Sequence, residues 1–387
     1  MAESNSSGRR ETAPLYRFGS GKQFWRRLWN TPWPSVGCEI SQTGVSAARW
    51  SWNTGSLEAA SWKPLPDGAI EASPLRENIR NPEPVREALG AALEAIGISR
   101  GPETAPPLRG RFASSRPTDA ILVIPDQAAR LFLFTLDTLP PRTAEALSLV
   151  QWRLKKSVPF DIESAAISYR AQRRGEQWEV MAVSAPQAVV RQYEALLEGV
   201  GLRPRSVALS TLATLGLLRE TGKGYAGPSL SSGGESAAGL PGPFAAPGEL
   251  ELSAGSRAGA GPGVLVGKCS PPWFTTAILQ SGQLRLFRTV GITAGPEGML
   301  SPESVFEALY PSIAFFQDQF GGRIEKAHLC GLGESGPAVM EMLTREFALE
   351  AAPLRGNGSL GAARVEPSRQ EVYFSALLGI VEEHSRA

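Results

Sequence analysis

Short apolar runs alternate with polar turns along the chain, and three strand–turn units stand out. The first unit, Val36–Trp50, contains the polar turn Ser41–Gly44 between two strands. In the second, Gly267–Thr275 separates two short strands, and in the third, Cys330–Gly336 follows a strand. A turn of Ser, Gln, Thr and Gly can aim backbone N–H groups and hydroxyls at a phosphate. The first unit is therefore a candidate phosphate loop, and the second is a looser copy of it.

Apolar residues at helical spacing predict helices between these strands. The predicted helices are Val85–Ile96, Leu147–Leu154, Val189–Val200, Thr211–Glu220, Pro337–Phe347, Phe374–Val381 and a long helix that starts at Ser301 and Pro302 and has Val305–Phe320 along its inner side. Ala120–Ile124 is apolar throughout, as is typical of a strand in a sheet that is covered on both faces. Ala129–Thr135 follows as another strand. From about 140 to 209 the order is helix–strand–strand–helix–strand, which predicts a compact inserted α+β unit.

Two further segments have a distinctive composition. In Phe24–Trp29 the aromatic residues share one helical face and two arginines leave on another. This pattern is typical of a segment in a membrane interface, or of a short element that packs on its own domain or on a partner helix. Thr221–Gly263 is rich in Gly, Ser, Ala and Pro and has few large apolar residues. It cannot bury enough surface to offset its ordering entropy, so we predict a flexible linker.

Composition narrows the classes of function. A formal net charge of +1 over 387 residues gives no reason to expect nucleic acid as a partner. The three cysteines lie far apart and match no ligand motif, so we expect a reducing compartment, no disulfide framework and no metal site. The sequence has no signal-peptide pattern and no apolar run of about 18 residues, which predicts a cytoplasmic protein without a membrane span.

In this order, the three strand–turn units resemble the two phosphate loops and the adenosine loop of the actin-like ATPases. The resemblance implies an α/β, ribonuclease H-like bilobed fold with a nucleotide cleft. Glu39 stands where the family's first loop has Asp, and Ser41 where it has Gly. Lys268 lies where active relatives have Asp-x-Gly, and positions 263–289 contain no carboxylate. Because phosphoryl transfer depends on charge neutralisation around Mg²⁺, we expect no hydrolysis and no catalytic residues, with ATP as the candidate ligand.

The resemblance also defines the candidate nucleotide-binding residues. They are Ser41, Gln42, Thr43, Lys268, Gly331, Gly333 and Glu334. Lys268 either replaces the cation electrostatically and holds a nucleotide without Mg²⁺, or is a solvated lysine in a degenerate turn. Gly331 and Gly333 belong either to a loop for the base or to a plain strand-to-helix turn. Glu39 stays a candidate carboxylate on the metal side.

A second motif narrows the resemblance. Its residues are Leu139, Pro140, Trp152, Lys155 or Lys156, Pro159, Phe160 and the step Gly199–Pro204. This pattern is similar to that of PilM-type type IV pilus assembly proteins, which are related to the cell-division protein FtsA. The resemblance implies a protein at the cytoplasmic face of the inner membrane. It also implies that a groove of the first lobe binds the cytoplasmic tail of a PilN-like single-pass membrane protein, with Trp152, Pro159 and Phe160 as candidate partner-binding residues.

The resemblance implies the following layout. It comprises an N-terminal tail with the amphipathic segment (1–34), a first lobe (35–220) with an FtsA-like inserted subdomain at about 140–209, a linker (221–263), a second lobe (264–370) and a C-terminal helix that returns to the first lobe (371–387). The expected function is a scaffold that is peripheral at the inner membrane and links the tail to pilus motor or platform components, with self-association left open. The alternatives are an active ATPase or sugar-kinase-like enzyme of the same fold, and the cytoplasmic part of a type II secretion L-type protein.

Overall fold

The computed structural model of the protein describes residues 33–98, 117–218, 261–293, 300–356 and 372–385. The predicted amphipathic segment Phe24–Trp29 and nearly all of the predicted linker 221–263 lie outside the described residues. The strands are β1 (Val36–Ile40), β2 (Gly44–Ser51), β3 (Ser56–Pro64), β4 (Thr118–Ile124), β5 (Arg130–Leu136), β6 (Ala165–Arg174), β7 (Gln177–Pro186), β8 (Leu202–Leu209), β9 (Gly263–Ser270), β10 (Trp273–Gln280), β11 (Gln283–Gly291), β12 (Ile324–Cys330) and β13 (Glu350–Pro353). The helices are α1 (Pro82–Ala95), α2 (Thr143–Leu154), α3 (Gln187–Glu198), α4 (Ser210–Thr214), α5 (Pro302–Phe320), α6 (Gly336–Phe347) and α7 (Ser375–Ser385).

One five-stranded sheet has the order β3-β2-β1-β4-β8. β1 pairs antiparallel with β2 and parallel with β4, and β4 pairs parallel with β8. All of β1 and the stretch Ala120–Ile124 of β4 are buried. This burial is expected of central strands that are covered on both faces, and it confirms the strand predicted from the apolar run.

A second five-stranded sheet repeats this arrangement as β11-β10-β9-β12-β13. It again joins an antiparallel meander to two parallel strands. The predicted turn Gly267–Thr275 was wrong, because β9 continues to Ser270 and only Pro271–Pro272 connects it to β10. Lys268 and Gly267 interrupt the apolar pattern of the strand, but pairing with β10 and β12 holds both of them in it.

The inserted unit is an antiparallel three-stranded sheet of order β5-β7-β6 together with α2. Its extent differs from the predicted 140–209 at both ends. β5 belongs to the inserted sheet, because it pairs with β7. β8 belongs to the first large sheet, where Leu202–Leu209 pairs with β4. The local pattern of a strand does not reveal its partner, so a parallel pairing across so many residues was not visible in the sequence.

The helices divide between two hydrophobic cores. α1, α3 and α4 pack on the first large sheet, and α5 and α6 pack with the second. α7 follows the second sheet in the chain but packs on α4 and β1, and Leu377 and Val381 join the core of the first sheet. The first sheet with α1, α3, α4 and α7 is called the first lobe below, and the second sheet with α5 and α6 the second lobe. All these elements lie within one compact unit, Pro34–Arg386.

The local sequence sets the ends of the long helix α5. Ser301 caps its start by accepting a hydrogen bond from the N–H of Ser304, and Pro302 occupies the first turn, where a missing N–H costs nothing. Gly321 ends the helix with a left-handed φ of 63°. Both ends match the predicted helix, which continues through Pro311. Neither α5 nor any other described helix is long and apolar enough to cross a membrane.

Candidate nucleotide cleft

A buried ion pair joins the two lobes near the ends of their central strands. Nζ of Lys268, near the end of β9, lies 2.9 Å from Oε1 of Glu39, near the end of β1. Only 4% of the Lys268 side chain and 9% of the Glu39 side chain are exposed. An unpaired charge at such a depth costs several kcal/mol. Each of the two groups is therefore held in the cleft by the other.

Hydroxyl groups from α4 complete this pair. Oγ of Ser210 donates to Oε1 of Glu39 over 2.5 Å, and the Lys268 ammonium donates to Oγ1 of Thr214 over 3.3 Å. α4 begins where β8 ends, so the pairing of β8 with β4 delivers these hydroxyls to the cleft. The interpretation of Lys268 as a solvated lysine in a turn was wrong, because the side chain leaves a paired strand toward a carboxylate of the opposite lobe.

The pKa of Lys268 reflects two opposing effects. Burial lowers the pKa of the ammonium, but the carboxylate of Glu39, together with Cys330 and Asp126, more than offsets this. The pKa of Lys268 is therefore raised above its ordinary value, and the side chain is charged at neutral pH. The cleft thus contains a fixed cation that belongs to the protein itself.

Asp126 is a second buried carboxylate in the cleft, and sequence reasoning missed it. It accepts hydrogen bonds from the N–H of Thr211 over 2.9 Å, from Oγ1 of Thr211 over 2.5 Å and from Oγ1 of Thr275 on β10 over 2.9 Å. Burial raises the pKa of Asp126, although these donors and the charge of Lys268 lower it in part. Its position directly after β4 was a usable signal, because residues beyond the carboxyl ends of parallel strands face the crevice.

The remaining space in the cleft is small. The cavity beside the ion pair has a volume of about 40 Å³, whereas ligand sites usually enclose about 300–1,000 Å³. Its walls include Trp62 and Tyr373, whose rings stack with centroids 4.2 Å apart. Glu39 is already bound to Lys268, so it offers no free oxygen pair to a metal. In the described arrangement these residues do not fit a nucleotide with Mg²⁺.

Some of the predicted nucleotide-binding residues line the cavity of the cleft, and others do not. The candidates that line the cavity are Ser41, Thr43, Lys268 and Gly331. Gln42 is not among the described lining residues, and Gly333 and Glu334 are exposed on a 3₁₀ turn after β12. Gly331 has a φ of 77°, and a Cβ there would collide with the carbonyl oxygen of Cys269. Glycine therefore lets this turn approach β9 closely.

The candidate partner-binding residues lie in the inserted unit and not among the described residues that line the cleft. Trp152 projects from α2 with 72% of its surface exposed. Pro159 is exposed and Phe160 is half-buried in the segment that follows α2. A tryptophan this exposed is unusual for its size, which makes Trp152 a candidate contact of an interaction surface.

The residues typical of metal sites do not gather in the described part of the chain. No group of three or more His, Cys, Asp or Glu within it is arranged to hold a metal ion. Cys38, Cys269 and Cys330 are all buried. Burial raises the pKa of Cys38 and Cys269 to about 12, so both thiols stay protonated at neutral pH.

Comparison with solved structures places this architecture among known folds. The structure of a PilM–PilN type IV pilus biogenesis complex matches with a TM-score of 0.60 and 17% sequence identity, over 91% of this chain and 98% of that chain. A Bacteroides thetaiotaomicron protein with an actin-like ATPase fold matches with a TM-score of 0.43 and 11% identity, over 89% of this chain and 94% of that chain. The fold is actin-like. This confirms the bilobed fold predicted from the strand–turn units.

A third match is the cytoplasmic domain of EpsL, an inner-membrane component of the type II secretion system of Vibrio cholerae. It has a TM-score of 0.39 and 10% identity, over 88% of this chain and 94% of that chain. No protein-family model matches the sequence. No curated protein matches it either.

Proposed function

We propose that this protein is a non-enzymatic platform protein of a type IV pilus. It binds the cytoplasmic tail of a PilN-like membrane protein and is thereby held at the inner membrane, where it contacts motor or other platform components. The observation that carries this proposal is the match along 91% of the chain to a solved PilM–PilN complex. The motif around Trp152, Pro159 and Phe160 supports it independently, because the motif rests on the order and spacing of residues and not on the fold.

The cleft chemistry supports a role without ATP hydrolysis. Phosphoryl transfer requires a metal-bound triphosphate and positioned charges, and each lost electrostatic donor costs about 3–4 kcal/mol of transition-state stabilisation. Here Lys268 forms an ion pair with the carboxylate of Glu39. The second lobe therefore contributes a cation at the position where active relatives contribute a carboxylate. The two lobes are therefore linked by protein groups, and tail binding is expected to be independent of ATP.

The tail is expected to bind in the groove between the first lobe and the inserted unit, with Trp152 as an apolar anchor. Exposed aromatic residues that become buried in an interface are frequent hot spots. Truncation of such an anchor costs about 2 kcal/mol, which is roughly a thirtyfold change in Kd. Pro159, which is exposed, and Phe160, which is half-buried, follow α2 in the chain and are the other expected contacts of the tail.

Calorimetric titration with a synthetic peptide of the partner's tail tests the proposal. We expect binding with the same Kd in the presence and absence of ATP, and roughly thirtyfold weaker binding by Trp152→Ala. Tyr310→Ala is the matched control, since Tyr310 is also an exposed aromatic residue (53%) but lies in the second lobe. Absence of peptide binding by the wild type, or Mg²⁺-dependent ATP turnover that is lost in Glu39→Ala, would overturn the proposal.

A further inference from the structure

Three polar side chains on one face of the inserted sheet make no side-chain hydrogen bond or ion pair within the part of the chain that the structure describes. Arg130 begins β5, Ser184 lies opposite it on β7, and Tyr169 lies on β6 opposite Ala182. Side chains of directly paired residues point to the same face, as do those of residues two apart along one strand. Arg130, Ser184 and Tyr169 therefore share one face. Arg130 lies directly opposite Ser184, and Tyr169 lies diagonally from Ser184 on the other side of β7, two strands from Arg130.

The donors of these three residues are not used within the described ranges. Nε of Arg130 and Oγ of Ser184 are buried atoms without a hydrogen-bond partner. The phenol of Tyr169 also makes no hydrogen bond to any residue that the structure describes. Native proteins leave few buried polar groups unsatisfied, and each such group calls for an explanation, such as a water, an ion or a ligand. Two such groups directly opposite each other, Arg130 Nε and Ser184 Oγ, indicate a common occupant.

The charge of this face favours an anionic occupant. The residues of β5, β6 and β7 that share it include Arg173 but no aspartate or glutamate. Arg130 forms no ion pair with a described residue. Burial lowers the pKa of Arg130 without an opposing negative charge, and it raises the pKa of Tyr169, which stays a neutral O–H donor.

We propose that Arg130, Tyr169 and Ser184 form a binding site for a carboxylate group. A guanidinium offers parallel N–H donors that match the two oxygens of a carboxylate, and the two hydroxyls each donate one further hydrogen bond. Ser184 is fully buried and forms the base of the site, whereas Arg130 and Tyr169 are half-buried and reachable from solvent. Opposed Cβ atoms in such sheets lie about 5 Å apart and diagonal ones about 7–8 Å, which are the spacings of Ser184 from Arg130 and from Tyr169. Arg130 and Tyr169 lie farther apart, on the two strands that flank β7, and their long side chains enclose one small group by extending over Ser184.

A carboxylate fits this site better than a phosphate does. A phosphate carries up to two negative charges and is usually held by more than one cation. Among the described residues of this sheet face, Arg130 is the only guanidinium at the site, since Arg173 lies at the far end of β6 and donates to the carbonyl of Gly175. The carboxylate is supplied either by a free dicarboxylic acid or by an acidic side chain of a bound peptide. The site is independent of the proposed pilus function, because it requires neither Trp152 nor a PilN-like tail.

Calorimetric titration of the full chain at constant ionic strength tests this site. The probes are succinate, inorganic phosphate and two capped peptides that differ only in one position, which is aspartate in the first and asparagine in the second. We expect Kd values of about 1–10 mM for a carboxylate probe. Binding should weaken at least about tenfold in Arg130→Gln and less in Arg130→Lys, which keeps the charge but loses the parallel donors. Tyr169→Phe, which deletes only the hydroxyl, should weaken binding about three- to fivefold.

Arg345→Gln is the control, since Arg345 is exposed on α6, and thermal unfolding of each variant verifies its fold. Succinate binding without peptide binding identifies a free acid as the ligand, and binding of the aspartate peptide but not of its asparagine pair identifies a peptide. The site is refuted if neither carboxylate probe binds the wild type at up to about 50 mM. It is equally refuted if Arg130→Gln binds as the wild type does, or if phosphate binds more tightly than succinate.

Discussion

Replacement of Lys268 by methionine removes the cation from the cleft and leaves the carboxylate of Glu39 buried. The remaining donor to that carboxylate is the hydroxyl of Ser210 at 2.5 Å. Removal of one member of a buried ion pair typically costs about 3–5 kcal/mol, because the other charge stays desolvated. With both side chains less than a tenth exposed, we expect Lys268→Met to fall within this range.

The double variant Glu39→Gln/Lys268→Met separates the loss of the pair from the isolation of a charge. Glutamine keeps an acceptor for Ser210 and carries no charge, so the double variant is expected to lose only about 1–2 kcal/mol. The loss of unfolding free energy in each single variant should then exceed that in the double variant by about 2–3 kcal/mol. The amount by which the sum of the two single losses exceeds the double loss is the coupling energy of the pair. Urea unfolding followed by tryptophan fluorescence measures all three.

Lys155→Met is the matched control for this series. Lys155 also pairs with a glutamate, Glu163, at 3.2 Å, but the side chains are 62% and 69% exposed. Exposed pairs contribute at most about 1 kcal/mol. If Lys268→Met costs no more than Lys155→Met, or if the cycle is additive, the pair does not join the lobes. Since the folded pKa of Lys268 is raised, its contribution should be present below its unfolded pKa of about 10.4 and be lost as the pH rises through the folded pKa.

Three further changes test the cleft. Because the folded pKa of Asp126 is raised, the free energy of unfolding of the wild type should fall as the pH rises from the unfolded pKa of about 3.9 through the folded pKa. The urea midpoint of Asp126→Asn should not show this fall, and the same pH dependence in both proteins would contradict the raised pKa of Asp126. Gly331→Ala should cost about 2–4 kcal/mol in urea unfolding, because its φ is positive and Cβ meets the Cys269 carbonyl; an unchanged midpoint would refute this. ATP with Mg²⁺ should shift the wild-type Tm by less than about 1 °C, as expected for ligand concentrations far below Kd, and a dose-dependent rise would instead indicate nucleotide binding.

The elements that could be predicted from the sequence are those whose signals are local. The apolar run Ala120–Ile124, the Ser301–Pro302 start of α5 and the turn Ser41–Gly44 each carry their own evidence, and their order was enough for the bilobed fold. The sheet membership of β5 and β8 was not local, since it depends on which distant strand each one pairs with. The insert was recognised, but its borders were therefore misplaced.

The same limit explains the errors in the cleft. Lys268 resembles a loop residue when it is read beside Gly267 and Cys269, but it is a strand residue whose partner, Glu39, is 229 positions away. Asp126 belongs to no motif. Its position after β4 indicated only that it faces the crevice, and its hydrogen-bond partners on α4 and β10 follow from the tertiary structure. Buried polar contacts between lobes are decided by tertiary geometry, which no local spacing encodes.

The return of α7 to the first lobe has a consequence for biosynthesis. Phe374, Leu377 and Val381 belong to the core that also contains β1, so segments more than 300 residues apart in the sequence build one hydrophobic interior. Domains usually fold in order as they emerge from the ribosome, but the core of this lobe is incomplete until α7 has been synthesised. The second lobe, whose core is drawn from one continuous stretch, should acquire its native structure first.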